Sequence, residues 1–256
     1  YSNRWLSLNL TELIRVYNMS TMVLNIKGNV TKKVSKLKEM KKQRGVTLLE
    51  IIIVLGIIGV IAAGVVILAQ RAFTAQDLSA VQDDLTSVRT AMNEAYKDQA
   101  QYPAQSDSIK GLSKSDINDT SVSNDSPIAT LVRMGKISAD EAFNGFSNDA
   151  FQMDNALTDS SSSQKKGFVV VVNGLASEEC RNLISQMGNQ WDYVEALNSG
   201  AAAGSEPSIS GRDFSVSKSG AILKTLTSGD IAPADIVADG VCDGQGSINA
   251  VIFGSK

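Results

Sequence analysis

The sequence predicts an α+β protein: a long N-terminal α-helix, transmembrane in its first half, packed on an antiparallel β-sheet. Three observations point there. A 24-residue apolar run from Val46 to Ala69 carries a single charge, Glu50. A helical stripe continues that run, with no Pro or Gly from Gln70 to Gln101. Beyond it, short helical segments and β-branched runs such as GFVVVVNGL at 167–175 are separated by polar turns. One helix followed by a set of short strands is the α+β pattern.

The N-terminal segment is basic. Residues 1–45 hold ten Lys/Arg and two Glu, whereas the remaining 211 hold 14 Lys/Arg and 25 Asp/Glu. A positive flank before an apolar span keeps the N-terminus in the cytoplasm and sends the rest across. The acidic balance of the exported part argues against nucleic-acid binding. Residues 1–21 carry no pattern of their own and are expected to be spurious upstream sequence. A start at Met22 leaves a basic leader of 24 residues ending at Gly45.

A helix over Val46–Ala69 rises about 36 Å, enough for a bilayer core of about 30 Å. The run is too long for a secretory signal, and Ala62, Ala63 and Gly64 lie inside it rather than after it. A plain anchor explains the length and the basic flank but not Glu50. An acid at such a position costs roughly 2.5–3.5 kcal/mol on insertion scales. Gly56, Gly59 and Gly64 allow close helix approach, while each weakens the helix by about 1 kcal/mol relative to alanine.

The string RGVTLLEIIIVLG, residues 44–56, resembles the class III signal of type IV pilins and their relatives. The resemblance implies cleavage by a prepilin peptidase between Gly45 and Val46, with methylation of the new amine. Glu50 then becomes the fifth residue of the mature chain. Valine at the first mature position and the long leader fit the type IVb branch. The charge pattern gains a physical reading. A buried carboxylate or ammonium is costly alone, and pairing Glu50 of one subunit with the Val46 amine of the next neutralises both. Glu50 is therefore expected to set assembly register. The family also implies local unwinding in the filament, expected here at Gly56–Gly64.

Residues 70–101 continue the helix. Leu78, Val81, Leu85, Val88, Met92 and Ala95/Tyr96 recur at spacings of three and four with polar residues between them, an amphipathic stripe for a head domain. Tyr102–Pro103 ends it.

The head, 102–256, opens with polar, irregular sequence up to residue 165. Within it, Ile128–Gly135 reads as a short helix and Ser138 with Glu141 as a capped turn. Gly167–Leu175 is the clearest strand, and SEECRNLISQMG at 177–188 a helix carrying Cys180. WDYVEALN (191–198), RDFSVSKS (212–219) and SINAVIFGS (247–255) read as further strands, and AILKTLTSGD (221–230) as a short helix. The order LVRMGKISADEA, a strand ending NGL, then EECRNLISQMG is similar to toxin-coregulated and related enteric colonisation pilins. That similarity extends over most of 45–195; residues 196–220 depart most.

Cys180 and Cys242 both fall on the exported, oxidising side, where one disulfide is the default and two buried thiols the other reading. The resemblance joins them and makes 180–242 a disulfide-bounded surface region. The chain has no histidine, which removes His-dependent triads and the commonest metal ligand. No phosphate-binding glycine loop occurs, so no enzyme activity, cofactor or metal is expected. Asp230, Asp235, Asp239 and Asp243 lack the EF-hand spacing and read as solvated loop acids.

The expected function is structural: the major subunit of a type IVb pilus, a homopolymer serving adhesion, aggregation and colonisation. The implied partners are prepilin peptidase, the inner-membrane assembly platform, the assembly ATPase, the outer-membrane secretin and a host-cell surface. The expected location is the inner membrane of a Gram-negative bacterium as precursor, then the surface filament. A minor pilin or type II secretion pseudopilin is the alternative within the superfamily. A membrane-anchored adhesin that never polymerises is the alternative of another class.

Overall fold

A computed structural model describes residues 47–256. The leader read at 1–45, with the processing residues Gly45 and Val46, lies outside the described residues. The chain divides between Val66 and Ile67 into two units. Helix α1, Leu48–Tyr96, runs unbroken through Gly56, Gly59 and Gly64, and none of the three has a neighbour within 4 Å of where a Cβ would stand.

In the second unit, α1 buries Leu78, Val81, Leu85, Val88, Ala91 and Met92, the stripe read from the sequence. Two short helices follow, α2 (Lys114–Asn118) and α3 (Pro127–Arg133). Ser113 and Asp116 cap α2 reciprocally. The Arg133 guanidinium donates to the carbonyls of Ile117, Asp119, Val122 and Asn124, gathering the loop between the two helices. Ser138 and Glu141 exchange the expected reciprocal bonds, but around a turn, with no helix after it.

Five strands form one sheet: β1 (Gln152–Ala156), β2 (Gly167–Leu175), β3 (Tyr193–Leu197), β4 (Ile222–Lys224) and β5 (Asn249–Ser255). Their order is β1-β2-β5-β3-β4, every neighbouring pair antiparallel. Helix α4 (Ser177–Met187) and a 3-10 turn (Gly188–Gln190) join β2 to β3, and α5 (Pro233–Ile236) precedes β5. One face of the sheet places Val170, Val172, Val194, Val251 and Phe253 in a core shared with α1 and α4. The opposite face, with Val169, Val171, Tyr193 and Ile252, is closed by Ala201, Ile209 and Phe214. All nine residues of β2 are buried, as a strand covered on both faces requires, which is why its sequence does not alternate.

Three local expectations are corrected. The segment 99–165 is not irregular throughout: it contributes α2 and the edge strand β1, whose composition QMDNA carries no strand signal. Residues 221–230 form β4 and a turn instead of a helix. Gly220 at φ 55° before it, and a Thr225–Ser228 turn after it, leave three extended residues that pair with β3. Residues 212–219 make no strand. Asp213 accepts from the amide of Ser215 in an Asx turn, and only isolated bridges touch this stretch.

Phe214 explains two glycines. A Cβ on Gly167 would stand 2.6 Å from its ring, and one on Gly254 would overlap it outright. The ring stacks on Tyr193 with centroids 5.0 Å apart. Residues 196–220, where the chain departs from the resemblance, thus build the lid over the second sheet face.

Candidate assembly interface

In the first unit, Thr47 Oγ1 accepts from the amide of Glu50 at 3.2 Å, capping the first turn of α1. Glu50 is exposed, and among the described residues it has no ion-pair partner. The large apolar residues from Leu48 to Leu68 are between 46% and 77% exposed. This helix is long and apolar enough to cross a membrane, and among the described residues none covers the apolar surface of its first half. So wide an apolar surface marks a site of contact with lipid or with protein.

In the second unit, Cys180 on α4 and Cys242 are joined, with Cα atoms 5.8 Å apart and neither residue exposed. Cys242 adopts φ 55°, rare for a residue with a side chain. The residues beside the cysteines, Arg181 and Asp243, pair at 3.0 Å across the bridge. Asp243 also accepts from the amide of Gly240. Asn249, fully buried, donates to the carbonyls of Leu175 and Gly244 and accepts from the amide of Gly244. The bridge therefore ties the end of the disulfide-bounded segment to α4, and just beyond it Asn249 holds Gly244 to the sheet.

The C-terminal aspartates are dispersed among separate partners: Asp230 with Lys224, Asp235 with Lys218 and Asp243 with Arg181. Bonds from Lys218 and the Ala232 amide hold the Asp235 carboxyl below the usual range. Among the described residues, no three His, Cys, Asp or Glu side chains gather to hold a metal ion. Glu195 is different, half-buried and gripped by two bonds from Arg212 and one from the Tyr193 hydroxyl. Burial and that carboxylate push the Tyr193 phenol upward.

Two features of this unit escape sequence reasoning. Along α1, beyond the span, Asp84 lies half-buried near Glu141 and Asp83, and burial with these charges raises its carboxyl to about 6. A groove of about 530 Å³ separates residues 67–78 of α1 from the facing side of α4, from Glu178 to Gln186. Ile67, Ala75 and Leu78 line one wall, Glu178 and Glu179 the other. The acidic first turn of α4 is visible in sequence, but its apposition to α1 is a long-range fact.

Comparison with known proteins fits this geometry. Residues 130–251 match the family model of the toxin-coregulated pilus subunit TcpA, and residues 40–66 that of the prokaryotic N-terminal methylation motif. The toxin coregulated pilin of Vibrio cholerae serotype O1 is 36% identical over 161 residues, 63% of this chain. A second toxin coregulated pilin of Vibrio cholerae is 35% identical over 164 residues. The chain spans 65% of the length of these relatives. The crystal structure of TcpA, a type IV pilin from the El Tor biotype of Vibrio cholerae, superposes with a TM-score of 0.52 at 24% identity. That match covers 71% of this chain and 99% of the other, and shows that the fold is that of a type IV pilin.

Proposed function

We propose that this chain, with the fold of a type IV pilin and sequence related to the toxin-coregulated pilins, is the major structural subunit of a type IVb pilus. The exposed apolar surface of the first half of α1 carries this reading, because nothing among the described residues covers it. As a precursor the helix lodges in the inner membrane; after assembly the same residues, 46–69, form the filament core. Prepilin peptidase removes 1–45 by cutting between Gly45 and Val46 and methylates the amine. Glu50 then meets the Val46 amine of a neighbouring subunit, and one axial offset satisfies both charges. Gly56, Gly59 and Gly64 let neighbouring helices approach and give α1 its softest stretch. The continuation 70–101 carries the head, 102–256, which forms the shell with the 180–242 region outermost. The assembly platform, ATPase and secretin export the polymer to the cell surface, where it serves adhesion, aggregation and colonisation.

The test is Glu50→Ala in the full-length chain, followed by electron microscopy of surface filaments and mass spectrometry of their main subunit. Export without ordered filaments is expected, while the parent chain gives filaments whose subunit begins at methylated Val46. Ordered filaments from the variant would overturn the register role. A mature chain retaining residues 22–45 would favour the anchored, non-polymerising adhesin instead.

A further inference from the structure

We infer that the groove between α1 and α4 is the socket for the opposite corner of the head of a second copy of this chain. The inference rests on the polymer reading above and adds which two surfaces of the head meet.

An open filament needs a heterologous contact: two unlike, mutually complementary patches on one subunit, placed so that the contact never closes. The head has such a pair at the two ends of its part of α1. Near the lower end is the groove, where Ile67, Ala75 and Leu78 share the α1 wall with Arg71 and Glu178 and Glu179 make the opposite wall acidic. Near the upper end is a corner with the reverse charge. Lys136 reaches Glu94 at 3.3 Å, and Lys166 donates to the carbonyl of Gln99. Beside them Met134, 49% exposed, lies 3.9 Å from the Tyr96 hydroxyl.

Leu78 and Glu94 are sixteen residues apart on one helix, about 24 Å of axial rise. A copy displaced by about that distance along a parallel α1 brings its groove to the level of its neighbour's lysine corner. Met134 then enters the apolar wall, where its unbranched side chain adapts to an irregular surface. Lys136 faces Glu178, which is exposed and has no ion-pair partner among the described residues. Lys136 gives up little to do so, since its pair with Glu94 is a surface contact. Each subunit offers one socket and one corner, so the contact repeats without end.

A charge-swap cycle in the full-length chain, expressed in cells that assemble the parent filament, tests this. Glu178→Lys and Lys136→Glu are each expected to lower filament yield by about tenfold, the effect of one like-charge contact, and the combined variant to restore it to within about threefold. Far-UV circular dichroism of each variant should match the parent, because both residues are surface-exposed. In a second arm, Met134→Cys with Gln186→Cys should give a ladder of cross-linked multimers on oxidation of the filaments. Ser160→Cys with Gln186→Cys should not. Parental yield from the single variants, no rescue in the combined one, or no ladder would each overturn the socket while leaving the polymer reading intact. Parent cells without filaments would overturn both.

Discussion

The guanidinium carbon of Arg89 sits 4.9 Å from the centroid of the Trp191 ring. Its Nη1 donates to the carbonyl of Gln190 at 2.7 Å and its Nε to Ser255 Oγ at 3.0 Å. One side chain of α1 thereby holds the turn before β3 and the last strand together. Arg89→Ala is expected to cost about 2 kcal/mol, summing a desolvated cation–π contact and charge-assisted bonds. Arg89→Lys should recover less than half, because an ammonium cannot stack and fork at once. Urea titration of the head measures both.

Asp84 makes the head more stable as pH falls. Its carboxyl titrates near 6 in the folded chain against 3.8 when free, so the folded state binds the proton more tightly. The penalty is complete above about pH 6 and disappears by about pH 4. Asp84→Asn should raise Tm at pH 7.5 by about 1–3 °C and leave it unchanged at pH 4. Glu141 works oppositely: bonds from Ser138 and Ser87 lower its carboxyl, and that stabilisation is lost only in stronger acid. Thermal scans across this range separate the two.

Phe214 and Gly254 should be coupled. Phe214→Ala opens a cavity in the second core and should cost about 3–5 kcal/mol. Gly254→Ala alone should also destabilise, since the new methyl overlaps the Phe214 ring and stands 2.9 Å from Tyr193 Cβ. In the Phe214→Ala background the same change should be milder by about 1–2 kcal/mol. A double-mutant cycle by chemical denaturation gives the coupling, and strict additivity would contradict the packing described.

The disulfide should resist reductant. Neither Cys180 nor Cys242 is exposed, so dithiothreitol reaches the bond only after local opening. Thiol labelling under native conditions should be slow and should accelerate in mild denaturant. Replacing both cysteines with serine should cost about 2–5 kcal/mol, the usual range for a native bridge in a small exported domain.

Local pattern made the stripe on α1, the strands β2, β3 and β5, and helix α4 legible in the sequence. Each is long, or strongly periodic, or uniformly β-branched. β1 was hidden because Gln152, Asp154 and Asn155 are buried polar residues, with Asp154 accepting from the Gln105 amide and Asn155 donating to the Tyr102 carbonyl. Those partners lie some fifty residues away, so no local signal announces them. β4 was misread because three residues carry too little periodicity against helix-forming Leu and Lys. Glu50 stands out in the sequence as the lone acid among apolar residues, whereas the groove depends on α4 folding back along α1.

The sheet has one further consequence. Its central strand, β5, comes last of the five in chain order, and β2 and β3 are joined side by side only through it. Until Ser255 has emerged, the head is two unfinished pieces. A product truncated before β5 would therefore lack the strand that joins the two halves, and its head could not close.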